Sequence, residues 1–261
     1  MDVRDKVVVV TGGAGGIGAA MCRRFAAERA AAIAVVDRSA DAAAAVADEI
    51  GATAYAVDVT DHAAMQDLVD AVLDAHGRID LFCSNAGITT GIELDDPADL
   101  WHQALEVNVM SHVYAARAVL PSMLARGSGY LLNTASAAGL LTSPGDAPYA
   151  VSKHGAVAFA EWLSVTYGGT GISVSVLCPL GVATPMLLDP LAAGNLGARA
   201  VAASGTILTA DQVTDAVVAG LATERFLILP HPEVGTFWAQ KASDPDRWLA
   251  GVRRLVARGT D

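Results

Sequence analysis

Tyr149 and Lys153 stand four residues apart in a stretch with helical periodicity, so their side chains share one face. Such a pair is suited to moving a proton. A free phenol has a pKa of about 10, and a neighbouring cation favours its ionised form and draws that value toward neutral pH. The phenol then takes a proton from an alcohol or gives one to a carbonyl oxygen. The chain has three lysines against fourteen arginines, and Lys6 and Lys241 lie near its ends. Lys153 therefore places a compact ammonium where guanidinium is otherwise preferred. The competing reading is an ordinary surface pair. Ser136 follows the strand-like run Tyr130–Thr134, and its hydroxyl can orient a reacting oxygen. Asn108 interrupts a helical pattern in which asparagine is a poor former. It either kinks the helix by local bonding or holds a water that links Lys153 to solvent.

A second motif implies a cofactor. Residues 11–18 read Thr-Gly-Gly-Ala-Gly-Gly-Ile-Gly between an apolar run and a helical pattern. Glycine lets a pyrophosphate approach the backbone, and the helix N-terminus offers free N–H groups. Gly12, Gly15, Gly16, Ile17 and Gly18 are the candidate contacts. Asp37 comes 19 residues after Gly18, at the end of the second apolar run. A carboxylate there accepts hydrogen bonds from ribose hydroxyls and repels a 2′-phosphate, which favours NAD over NADP. Arg38 works in the opposite sense, because its guanidinium can hold that phosphate.

These residues need elements to position them. Short apolar runs alternate with helical patterns: Val7–Val10, a helix over 16–32, Ile33–Val36, a helix over 41–50, and Thr53–Val57. A helix over 60–75 capped by Thr60, Leu81–Ser84, a long helix within 98–125 and Tyr130–Thr134 follow. The order closes with helix 149–167, Ser173–Leu177, helix 210–223 and Phe226–Leu229. Strands apolar on both faces and separated by helices predict an α/β doubly wound parallel sheet, Rossmann-like, in a single domain. Ligands of such sheets lie beyond the carboxyl ends of the strands, where the singled-out residues fall. Between 184 and 205 the pattern weakens into a flexible segment that reads as a lid. The tail from 230 to 261 carries Phe237, Trp238 and Trp248, read as packing on the body or on a partner subunit.

Composition excludes several classes. The net charge is −11, which repels nucleic acid and anionic lipid. No apolar run is long enough to span a membrane, and no signal peptide is apparent. Cys22, Cys83 and Cys178 lie far apart without CxxC spacing, which predicts neither disulfide framework nor zinc site and suits a cytoplasmic protein.

Taken together, the motifs resemble the short-chain dehydrogenase/reductase family, in its compact single-domain branch, over roughly 6–229. The resemblance rests on the glycine loop, Asp58-Val59, Asn85-Ala86-Gly87, Asn108, Ser136, Tyr149-x-x-x-Lys153, and Pro179 with Gly181. It implies a catalytic set of Asn108, Ser136, Tyr149 and Lys153. It places Asp58 and Val59 at the adenine, and Asn85, Ala86 and Gly87 along the adenosine ribose. Lys153 joins the nicotinamide ribose, and Val182 and Thr184 meet the carboxamide. It also implies a dimer or tetramer built through the helices of 98–125 and 149–167. Two departures stand out. Ser84 occupies the position of a usual asparagine, and Leu180 separates Pro179 from Gly181.

The leading expectation is an NAD-dependent oxidation of a secondary alcohol, or reduction of a ketone. The substrate is expected to be hydrophobic or weakly polar, because Leu140, Leu141, Met186, Leu187, Leu188 and Leu191 dominate the pocket segments. The alternatives are an NADPH-dependent reductase of 3-oxoacyl substrates and a redox-sensing NAD(H)-binding module without turnover.

Overall fold

Seven strands form one parallel sheet in the order β3-β2-β1-β4-β5-β6-β7. They are β1 (Val7–Thr11), β2 (Ala32–Asp37), β3 (Thr53–Ala56), β4 (Leu81–Ser84), β5 (Gly129–Thr134), β6 (Ile172–Leu177) and β7 (Leu227–Ile228). The computed structural model describes residues 1–94 and 98–258. β1 and β4 are buried along their whole length, which explains their unbroken apolar sequences. β1 pairs with β2 and with β4 in parallel, and the chain reverses direction of travel between those neighbours. That switch point opens a crevice at the carboxyl ends, as doubly wound sheets require.

Helices cover both faces. Phe25 of α1 (Gly16–Ala27) packs with Val8 and Val10 on one side, and Met65 and Leu68 of α3 (His62–His76) pack with Val7 and Val9 on the other. Three further crossovers are α2 (Ala40–Ile50), α6 (Ala147–Tyr167) and α9 (Ala210–Ala222). α1 ends five residues before its expected limit, because Arg29 takes a positive φ of 64° and starts the turn into β2. α3 is capped by Asp61, whose carboxylate accepts from the Ala63 and Ala64 N–H groups, and not by Thr60. Thr60 is held instead by Asp58.

The long helix within 98–125 is three pieces. α4 (Ala98–Leu105) and α5 (Ser111–Arg126) flank a π-helical turn, Glu106–Met110, with Asn108 at its centre. The weakly patterned segment is helical: α7 (Pro185–Ala192) and α8 (Leu196–Ser204). α7 buries none of its residues, so no apolar stripe announced it. The tail forms α10 (Pro232–Ser243) and α11 (Pro245–Arg258); the final positions of the expected tail, 259–261, lie outside the described residues. Phe237 and Trp248 sit 6.0 Å apart between ring centres and pack on the main core. Among the described residues no helix is long and apolar enough to cross a membrane, and no group of His, Cys, Asp or Glu is arranged to hold a metal.

Candidate active site

A cavity of about 1150 Å3 runs along the carboxyl ends of the strands. Its floor at one end is the glycine loop after β1. Gly12 and Gly16 take positive φ values of 64° and 52°, and a methyl at Gly12 would stand 2.9 Å from the Ala86 backbone. Side-chain-bearing residues resist that conformation, so the loop demands glycine. α1 begins here with Gly15 as its N-cap and no side-chain cap, leaving its first N–H groups facing the cavity. That is an anion cradle of the right kind for a pyrophosphate. Asn85 ties the cradle to β4: its Nδ2 donates to the Thr11 carbonyl at 3.1 Å, and its N–H donates to Thr11 Oγ1 at 2.9 Å.

Asp37 is the last residue of β2 and lines the same end. Its Oδ2 accepts from the Ala14 N–H at 3.3 Å, and its Oδ1 accepts from the Ser39 N–H. Arg38 is exposed and does not line the cavity. Asp58 follows β3, which pairs with β2 at Asp37. Hydrogen bonds from Thr60 hold its carboxyl below the usual range, helped by the Arg38 charge nearby. Asp58 and Val59 stand beside the cavity wall and not in it, as do Gly18, Asn108 and Gly181. Gly12, Gly15, Gly16, Ile17, Asn85, Ala86, Gly87, Pro179, Val182 and Thr184 all line it. The residues present therefore fit a dinucleotide.

The other end holds Ser136, Tyr149 and Lys153. α6 carries the pair, and its start is fixed by Asp146, which accepts from the Tyr149 N–H at 3.1 Å. Asp146 also receives the Thr90 N–H, the Thr90 hydroxyl and the Gly91 N–H, so the loop after β4 is pinned to the head of α6. Lys153 is buried; its Nζ donates to the Thr134 carbonyl at 3.1 Å and lies 5.7 Å from the centre of the Tyr149 ring. A methyl at Gly87 would sit 3.2 Å from both Lys153 Nζ and Asn108 Oδ1, so glycine lets both polar groups approach the backbone there.

Electrostatics depart from the sequence expectation. Burial pushes the Tyr149 phenol up to about 12, opposed by the Ser136 hydroxyl. Burial also lowers the Lys153 ammonium to about 8. The cation lies over the ring face and donates to a carbonyl, and in the free protein desolvation dominates the phenol. Asn108 is also more committed than expected. Its Nδ2 donates to the Ile88 carbonyl and to Ser152 Oγ, and its Oδ1 accepts from the Ile88 N–H, each at 2.9 Å. Its amide thus fastens the loop after β4 to α6, and the kink is a π turn.

Three residues escaped the sequence reading. Asp146 stands just before Ala147-Pro148, which is a helix-start signal. His231 accepts from the Leu180 N–H through Nδ1, and its Nε2 donates toward the Gly181 and Thr206 carbonyls. It thereby fixes the turn that Leu180 lengthens, and leaves Val182 and Thr184 on the cavity wall. Lys241 of α10 donates to the Leu140 and Leu141 carbonyls, clamping the loop beyond Ser136.

His112 of α5 is 1% exposed, and neither ring nitrogen has a partner. Burial, with the Lys153 charge second, drives its pKa down to about 3. An unfolded histidine titrates near 6.5, so below that pH the unfolded chain binds a proton that the native one refuses. Stability should therefore fall with pH from about 6.5 downward, by up to about 1.4 kcal/mol per pH unit from this residue. Urea midpoints of the wild type and His112→Phe at pH 7 and pH 5 check this. The variant should lose most of that slope; an unchanged slope rules out His112 as its source.

Comparisons with known proteins agree with the geometry. A family profile described as short chain dehydrogenase matches residues 6–191. The chain is 36% identical over 259 residues to a 1-deoxy-11-beta-hydroxypentalenate dehydrogenase of Streptomyces avermitilis, covering 96% of this chain and 93% of that one. It is 34% identical to a 2-(R)-hydroxypropyl-CoM dehydrogenase of Xanthobacter autotrophicus, covering 82% and 90%. A crystal structure of a short chain dehydrogenase/reductase from Burkholderia phymatum in complex with NAD superposes with a TM-score of 0.84 at 29% identity, covering 94% and 96%. The chain belongs to the short-chain dehydrogenase family, a class of oxidoreductases with a single Rossmann-like domain.

Proposed function

We propose that this protein interconverts a secondary alcohol and its ketone with NAD(H), using Tyr149 as the proton-transferring group. The observation that carries the reading is one cavity that joins the glycine cradle and Asp37 to Ser136, Tyr149 and Lys153. The hydroxyl-bearing substrates named for the relatives support the reaction class.

In this reading Gly12, Gly15, Gly16 and Ile17 hold the pyrophosphate against the N-terminus of α1, and Gly18 lets the helix close on the Gly12 carbonyl behind them. Asp37 holds the adenosine ribose, Asp58 and Val59 border the adenine, and Asn85, Ala86 and Gly87 form the wall behind. Lys153 holds the nicotinamide ribose, and Pro179, Val182 and Thr184 orient the carboxamide, with Gly181 in the turn that presents them. When bound, NAD supplies the ring that accepts the hydride from an alcohol or, reduced, gives it to a ketone. Ser136 Oγ positions the substrate oxygen. Tyr149 Oη takes the alcohol proton or returns one to the carbonyl oxygen, and Lys153 keeps a positive charge beside it. α7 and α8 serve as the lid and keep water from the reacting atoms.

Asp37 on the cavity wall, with Arg38 outside it, favours NAD over NADP. Val151, Trp162 and Val165 leave an apolar face exposed on α6, which we assign to a homo-oligomeric contact, dimeric or tetrameric. The three buried, unpaired thiols suit a reducing cytoplasm.

The test is a panel of secondary alcohols and ketones of graded polarity, followed by NADH absorbance with NAD and NADP side by side. Turnover with NAD is the expected result, and Asp37→Ala should lower the kcat/KM preference for NAD by about tenfold. Preferred use of NADPH reassigns the protein to biosynthetic reduction. Tight NADH binding without turnover of any compound reassigns it to redox sensing.

A further inference from the structure

We infer that the outer end of the cavity binds a carboxylate on the substrate through Arg247 and Arg254. The inference rests on the hydride-transfer reading above and deepens it. Both arginines belong to α11 and both line the cavity. They are seven residues apart, which is two helical turns, so they lie on one face. Gly251 stands between them on that face. A methyl added at Gly251 would meet only Arg254 Nη2, at 3.8 Å. The helix thus presents two guanidiniums with an open step between them, and the Arg254 side chain folds back over that step.

The next stripe of the same helix is apolar. Trp248, Val252 and Leu255 line the cavity beside the arginines. An apolar body and an anionic end are therefore accommodated by neighbouring rows of one helix.

Charge bookkeeping points the same way. The chain as a whole is acidic, with 28 carboxylate side chains against 17 lysines and arginines. Four carboxylate or ammonium groups also line the cavity, and most are committed. Asp37 sits at the adenosine end, Asp146 is saturated by four donors, and Lys153 is bonded to Thr134. Asp244 remains near α11, where it accepts the Arg247 backbone N–H. Two exposed guanidiniums share this part of the cavity wall with that one carboxylate, and among the described residues neither has an ion pair. A planar guanidinium fork matches the two oxygens of a carboxylate in bidentate fashion. The weakly polar substrate expected from the lid leucines thereby acquires a charged end, contributed by a helix the sequence pattern did not reveal.

The experiment uses the whole protein and straight-chain hydroxy acids with the alcohol next to the far terminus. Chain length is graded, and each acid is paired with its methyl ester. At the favoured length, kcat/KM for the acid should exceed that for the ester by about tenfold or more, as charge-assisted hydrogen bonds provide. The acid-to-ester ratio should collapse toward one in Arg247→Gln/Arg254→Gln. It should hold in Arg253→Gln, a neighbour on α11 that does not line the cavity. A second readout needs no turnover: cyclohexanecarboxylate should raise the Tm of the wild type but not of the double variant, and its methyl ester should raise neither. Acid and ester used equally at every length, or a ratio that survives in the double variant, overturns the inference while leaving hydride transfer standing. No NADH formed from any acid or ester, while the secondary-alcohol panel is turned over, overturns the inference alone; no turnover in either set overturns both readings.

Discussion

Tyr149→Phe is expected to lower kcat by about a thousandfold while leaving NADH affinity within about twofold of the wild type. The phenyl ring keeps its place on α6 and its contact with the cavity, so the dinucleotide loses nothing it touches there. What disappears is the one hydroxyl able to exchange a proton with the substrate oxygen. Positioned acid–base groups contribute about a hundredfold to ten-thousandfold, and among the described residues no second hydroxyl of comparable acidity lines the wall. Ser136 orients but cannot replace a phenol, because an aliphatic alcohol is far less acidic. The fold should tolerate the change, since the Tyr149 hydroxyl anchors no backbone group. Steady-state kinetics and NADH fluorescence titration separate the two quantities. Retention of even a tenth of the wild-type kcat would remove Tyr149 from the chemistry.

Gly139→Ala is expected to lower kcat by about a hundredfold and Tm by several degrees, with little change in cofactor affinity. Ser136 caps a short 3-10 turn, Ala137–Gly139, by accepting the Ala138 N–H at 3.1 Å. That turn rests directly on α6. A methyl at Gly139 would stand 2.4 Å from the Lys153 carbonyl oxygen, backbone against backbone. No rotamer relieves such a contact, so the turn must lift off the helix. Ser136 rides on the turn and Tyr149 rides on the helix, so their separation grows. A displacement of about 1 Å in a reacting group costs about a hundredfold in rate. The glycine cradle lies at the other end of the cavity and should not feel the shift. Kinetics together with a thermal melt read this out. A variant with reduced Tm but normal kcat would show that the turn supports the fold without setting the catalytic spacing.

The centre of the sheet was legible because β1 and β4 are buried along their whole length and read as mainly apolar runs. Leu81–Ser84 came through with both ends correct; β1 and β2 gained a polar end residue, Thr11 and Asp37, β5 and β6 each began one residue early, and β3 and β7 were shorter than expected. The glycine loop and the Tyr149/Lys153 pair were legible because local backbone geometry dictates residue type in each. What was not legible depended on partners far along the chain. α7 has two prolines and buries nothing, and it is held by neighbours that no local pattern reveals. His231 and Lys241 act through carbonyls about 50 and 100 residues away. The π turn at Asn108 was readable only as a disturbance. Its cause, an amide bonded to both Ile88 and Ser152, needed the fold. Asp146 is different, because Asp-Ala-Pro ahead of a helix is a local signal, and it was overlooked.

The all-parallel pairing has a consequence for how the chain is made. β1 is synthesised first, yet Val8 reaches its second neighbour only at Leu81, after three complete crossovers. Until then one edge of an almost purely valine strand is open to any other extended chain. Translation must advance well past that point before the strand is covered, and such waiting edges are where nascent polypeptides associate wrongly. Yield on expression should accordingly depend on elongation speed and holdase capacity early in the message more than on the native stability of the finished sheet.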